Sequence, residues 1–274
     1  MEEHILGVTK LINWLLGKPA AALLSALHID PENPQYPIPN HIAMEFVVFA
    51  FVVVFFLWLK SRLSVDRPGG TQQCLEILLT NPMGLGVRDL LQSMAGHGSE
   101  RYIGMIGSIG MFVLVCNLIS LVPGFASPTA TSSVPLACAV IVFLYYNYSG
   151  VRHHGPLGYG KHFLGPSLPL SPFMLPIELI SNFARLLSLT VRLWVNMLVS
   201  ELLYVTFLGL ALLLFLFVGH LNPVGYALAP LPVFAGVIFI ALHIFVGILQ
   251  AFVFTILPII YVGGAVAGGH GDDH

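Results

Sequence analysis

IELISNFARLLSLTVRLWVNMLVSELLYVTFLGLALLLFLFVGHLN, residues 177–222, decides the fold because it is too long. Its 46 residues include no proline, and all of them tolerate a helix. A continuous helix of that length runs roughly 69 Å at 1.5 Å per residue, against a hydrocarbon core about 30 Å thick. Residues 224–262 repeat the problem: 39 residues whose one basic or acidic side chain is His243, roughly 58 Å if helical. Either each segment breaks, or each crosses obliquely. Pro230 and Pro232 bend or delay the start of the second segment, and Pro258 its end. The first has no such breaker, which favours the oblique arrangement. GHLNPVG, residues 219–225, then closes a tilted antiparallel helical hairpin.

Composition agrees with a membrane setting. Hydrophobic residues make up 57% of the chain and charged ones 9%, where a soluble domain carries about a quarter charged. Mean hydropathy is +0.87. The fold expected is an all-α integral membrane protein with upright transmembrane helices, the tilted hairpin and amphipathic surface helices. A net charge of −2 gives no reason to expect nucleic acid. Cys74, Cys116 and Cys138 are scattered and read as small apolar residues, with no metal or cofactor motif. The acidic MEEH start does not match a secretory signal.

Toward the N-terminus, Val8, Leu11, Ile12 and Leu15 recur at helical spacing, with Thr9, Lys10 and Asn13 between them. This predicts an amphipathic helix lying on the bilayer. Four prolines bar a helix from 30–40. Spans are predicted at 42–59, 102–122 and 134–148. An amphipathic cytoplasmic helix is predicted at about 68–98, where Val87, Leu90, Leu91 and Met94 form a stripe. Residues 123–133 and 151–168 read as loops, the second basic and Gly-rich, with an HH pair at 153–154 read as solvated. Basic residues crowd 60–101 and 151–168, which places both on the cytoplasmic side and the N-terminus outside. The organisation expected is an extracytoplasmic 1–40, three spans in 41–150, a cytoplasmic loop 151–171, the hairpin 172–266 and a polar tail 267–274.

The hairpin carries the chemistry. At 100° per residue, Glu178, Arg185, Ser188, Arg192 and Asn196 fall on one stripe. Glu201, nine residues past Arg192, is half a turn round and cannot pair with it. An arginine deep in a membrane helix costs about 2.5–3.5 kcal/mol on insertion scales. Arg192 has no partner at i±3 or i±4, so a functional role outweighs a structural one. For Ser188 and Asn196 an interhelical hydrogen bond is as good a reading as a functional one. Glu201 and His243 are either buried neutral groups or parts of a proton relay. His243, Gly247 and Gln250 share a face suited to packing on protein. Glu45, Lys60 and Arg101 sit at span ends and snorkel. His4, His28, His41, His270 and His274 read as loop or tail residues.

PIELISNFARLLSLTVRLWVNMLVSEL (176–202) and LHIFVGILQAFVFTILPIIYV (242–262) resemble subunit a of the bacterial F-type ATP synthase membrane sector. NLISLVPGFASPTA (117–130) is similar to that family's loop after its second span. The resemblance implies a non-catalytic stator subunit in the bacterial plasma membrane, with a cytoplasmic C-terminus and no cofactor. Its partners would be a c-subunit ring, a peripheral-stalk subunit b and the lipid bilayer. Two half-channels would load and unload ring carboxylates, coupling proton flow to rotation. Arg192 matches the family's ring-facing arginine. Glu201, His243, Asn196 and Gln250 match its outer half-channel, and Glu178 the inner one; Ser188 and Arg185 support the stripe. Departures are Val195 for a common Gly, Arg185-Leu186 for Lys-Pro, and Ser120 where some members carry aspartate. The alternatives are a secondary transporter or redox-driven pump subunit, or a scaffold whose arginine forms a static interchain ion pair.

Overall fold

The computed structural model describes residues 7–26, 28, 33–63, 69–70, 72–73, 76, 92–93, 100–122, 125–164, 171–218 and 230–267. Six long helices fill them: α1 (Gly7–Ala26), α2 (Asn40–Arg62), α3 (Glu100–Leu118), α4 (Ser133–Leu164), α5 (Ser171–Leu213) and α6 (Pro230–Ala267). A 3₁₀ turn, Ile119–Leu121, continues α3; a second, Pro128–Ala130, precedes α4; a π turn, Leu214–Val218, ends α5. Among the described residues, α2 to α6 are each long and apolar enough to cross a membrane. The chain is an all-α integral membrane protein. The predicted helix at about 68–98, the 219–225 turn and the tail after 267 lie largely outside the described residues.

The length puzzle has a structural answer. α5 is continuous for 43 residues and α6 for 38, roughly 65 and 57 Å at 1.5 Å per residue. Pro258 lies inside α6 without ending it. Pro230 is its first residue, where the missing N–H has no helical acceptor to serve. Neither helix is divided, so the broken alternative falls. α5 is also the least covered span, with 11% of its apolar window buried against 44% for α4.

The chain packs as two compact units. The first comprises 1–54, 114–131 and 194–248. Here α1 turns its Thr9, Asn13 and Gly17 face inward and leaves Leu11, Trp14 and Leu15 exposed. Asn13 Nδ2 donates to the Ile38 carbonyl at 2.9 Å, and its Oδ1 accepts the Ile38 N–H at 2.9 Å. The polar face of α1 is therefore docked on the proline run. Asn117 Nδ2 donates to the Gly247 carbonyl at 3.0 Å. A Cβ at Gly247 would stand 3.3 Å from Asn117 Cβ, a tight contact that glycine avoids.

The second unit comprises 55–113, 132–193 and 249–274. Over 151–164 it corrects the reading of 151–168 as a loop, while 165–168 lie outside the described residues. α4 runs on to Leu164 through an elbow at Gly155, whose φ of 74° and ψ of 163° suit only glycine. Pro156 follows, with φ preset for a first helical turn. Beyond the elbow the Tyr159 ring seats on Gly150, where a Cβ would collide with it. The HH pair is helical too, and His154 Nε2 donates to the Val266 carbonyl at 3.1 Å.

Candidate functional site

In the first unit, one face of α5 carries Met197, Ser200 and Tyr204 at spacings of three and four. Such spacing stacks side chains over successive turns. His243 of α6 is fully buried among them. Its Nδ1 lies 2.7 Å from Ser200 Oγ, and its Nε2 lies 3.1 Å from both Ser120 Oγ and the Asn117 carbonyl. The Tyr204 ring meets the imidazole edge to face at 5.4 Å, and its hydroxyl donates to the Ser120 carbonyl at 3.4 Å.

Glu201 follows Ser200. It lines a cavity of about 370 Å³ together with Asn40, His41, Ser127, Ala130 and Thr131. Its Oε2 is enclosed and has no hydrogen-bond partner among the described residues. Such an oxygen is costly, and a proton of its own or a donor within the cavity relieves the cost. Three ties fix the cavity wall. Ser127 Oγ donates to the Cys116 carbonyl at 3.0 Å. Thr129 Oγ1 donates to Asn117 Oδ1 at 2.7 Å. Trp194 Nε1 donates to the Ala130 carbonyl at 3.0 Å. The 123–133 loop thus takes part in the Glu201 site through Ser127, and Ser120 in the His243 site. His41, read from sequence as a loop residue, is helical and lines this cavity.

The second unit holds the cationic stripe. Arg192 is exposed, and its Nη2 donates to Ser188 Oγ at 3.5 Å, so it does have an uncharged partner at i−4, at the limit of a hydrogen bond. No acidic group lies within ion-pair distance of it among the described residues. Arg185 is compensated: Glu178 stands 3.9 Å away, and the guanidinium lies 5.4 Å from the Tyr261 ring centroid. Behind them Tyr146 donates to Asn182. Asn182 and Tyr159 both donate to Asn147 Oδ1, at 3.3 and 3.0 Å. Gln250 is buried, with an Oε1 that has no partner among the described residues. Asn196, in the first unit, is exposed like Ser188.

The predicted residues therefore fall into separate settings. Glu178, Arg185, Ser188 and Arg192 share an uncovered or half-covered stripe. Glu201 is half-buried at its cavity, His243 is fully buried among its partners, and no hydrogen bond joins them among the described residues. Sequence reasoning missed Asn117, Ser200 and Tyr204, and the Tyr146–Asn182–Asn147 group. Ser200 had a signal: Leu189, Leu193, Met197 and Ser200 form one buried stripe, broken by a single hydroxyl.

The family profile described as ATP synthase A chain matches residues 42–263. The chain is 39% identical over 267 residues to ATP synthase subunit a of Koribacter versatilis, covering 97% of this chain and 99% of that one. It is 40% identical over 249 residues to ATP synthase subunit a of Solibacter usitatus, covering 91% and 95%. With the Desulfosudis oleivorans subunit a it shares 38% over 230 residues, covering 84% and 89%. With a family profile that matches residues 42–263 and relatives that align over most of both chains, the chain belongs to the ATP synthase A chain family.

Proposed function

We propose that this chain is the non-catalytic proton-path subunit of an F-type ATP synthase stator. Its hairpin α5–α6 lies oblique in the bilayer, since helices of 43 and 38 residues exceed an upright crossing. The uncovered stripe of α5 faces a rotating ring of c subunits. Arg192 attracts a ring carboxylate once that carboxylate has lost its proton, and it bars direct passage between two half-channels. The outer half-channel runs by the Glu201 cavity and His243, with Asn196 and Gln250 along it. The inner one opens near Glu178. A peripheral-stalk subunit b holds the chain against rotation. The N-terminus lies outside a bacterial plasma membrane and the C-terminus in the cytoplasm.

One observation carries the reading: Arg192 is presented at the surface with no acid beside it among the described residues. A membrane arginine in that state needs a counter-charge, and a carboxylate that comes and goes on another chain supplies one. Arg192→Ala is expected to abolish ATP-driven proton pumping by inverted membrane vesicles while the complex still assembles. Normal pumping by that variant would defeat the assignment.

A further inference from the structure

His243 is held by three groups of different hydrogen-bonding character. The Asn117 carbonyl, 3.1 Å from Nε2, can only accept. It fixes a hydrogen on Nε2, so Nδ1 carries the lone pair of the neutral ring. Ser120 Oγ, also 3.1 Å from Nε2, shares that hydrogen as a second acceptor. Nδ1 is left as the nitrogen that can gain a proton, and Ser200 Oγ stands 2.7 Å from it. Ser200 has a second contact: its Oγ lies 3.1 Å from the Met197 carbonyl. A hydroxyl has one hydrogen and two lone pairs, so it serves only one of these acceptors at a time.

We propose that Ser200 is a positioning residue that lets His243 hold or release a proton without losing a hydrogen bond. With the ring neutral, the Ser200 O–H donates to Nδ1. When a proton binds Nδ1, the new N–H donates to Ser200 Oγ, and the Ser200 O–H turns to the Met197 carbonyl. Loss of the proton reverses both steps, and one proton is taken up and one given back. Among the described residues, the other groups against the ring are Tyr204 of α5, which is titratable, and the uncharged Asn117 and Ser120 of the α3 end. Glu201, next to Ser200 in the chain, lines the cavity described above. The inference rests on the proton-path reading above.

The test uses three substitutions in the intact complex, with ATP-driven pumping normalised to the amount of subunit in the membrane. Ser200→Ala removes the hydroxyl, Ser200→Cys keeps the shape with a poor hydrogen bonder, and Ser200→Thr keeps the hydroxyl but adds a methyl at a buried position. The loss of a hydrogen bond to a charged group predicts about a tenfold fall for Ala and Cys, with Thr retaining more than half of the rate. Packing alone predicts the opposite order, because Ala fits and Thr crowds. Wild-type pumping by assembled Ala or Cys variants, or a Thr variant no better than Ala, overturns the proposal. Arg192→Ala in the same vesicles separates the two ideas. If it pumps, the proton-path reading falls; if it is dead while Ser200→Ala pumps normally, only the Ser200 role falls.

Discussion

Asn117→Ala tests how the first unit is held together. Two hydrogen bonds disappear: Nδ2 to the Gly247 carbonyl at 3.0 Å and Thr129 Oγ1 to Oδ1 at 2.7 Å. Both former partners keep a second contact. Thr129 Oγ1 lies 2.8 Å from Ser127 Oγ, and the Gly247 carbonyl lies within a helix. The cost is therefore that of two bonds rather than two stranded groups, about 1–3 kcal/mol at 0.5–1.5 each. At about 1.4 kcal/mol per factor of ten, local opening becomes roughly 5- to 150-fold more frequent. The loop should report it, because the Ala130 and Thr131 amides bond back to Ser127 and Pro128. Hydrogen exchange of these two amides in the intact complex is expected to accelerate by that factor, while amides near Asn182 in the other unit keep their rates. Unchanged exchange at Ala130 and Thr131 would refute the claim that Asn117 ties the loop to α6.

Two further predictions concern the α4 elbow. Gly150→Ala drives a Cβ into the Tyr159 ring and should cost about 1–3 kcal/mol by overpacking. Thermal loss of the detergent-extracted complex measures it, and the Gly150→Ala/Tyr159→Ala pair should be less harmful than the sum of the singles. Gly155→Ala should cost about 1–3 kcal/mol because its backbone conformation is open only to glycine. Gly160→Ala, exposed with open space around it, should be neutral or gain up to about 1 kcal/mol. Equal melting of the two variants would show that the elbow carries no strain for a side chain.

Much of the architecture was legible because membranes tax polarity so heavily. Charge-poor runs marked the spans, and the absence of proline from 177 to 222 marked α5 as undivided. Arg192 stood out for the same reason: a cation deep in an apolar run, with no acid one turn away, demands an explanation that a surface lysine does not. What escaped was small and local. The run 151–168 looked like a loop because Gly155 and Pro156 are breakers in isolation, yet together they make a corner between two helical pieces. His41 looked like a loop residue because the prolines before it are not helical; α2 begins one residue earlier. Ser200 was hidden because a serine in a membrane helix commonly bonds its own backbone, as it does here through Met197. Only the position of His243 reveals its second use, and that contact spans 43 residues of chain.

The Asn13–Ile38 contact has a consequence for the irregular segment that leads into α2. Pro37 and Pro39 have no N–H, so Ile38 is the one residue of that tripeptide able both to donate and to accept through its backbone. Asn13 answers both groups with one side-chain amide, as a neighbouring strand would with its own peptide. The carboxamide acts as a one-residue strand. It gives an irregular segment the pairing of a sheet without leaving an edge on which a second strand could grow. An aspartate there would lose the donor and an alanine both groups, so what looks like an ordinary polar residue on a surface helix is a lock with a single key shape.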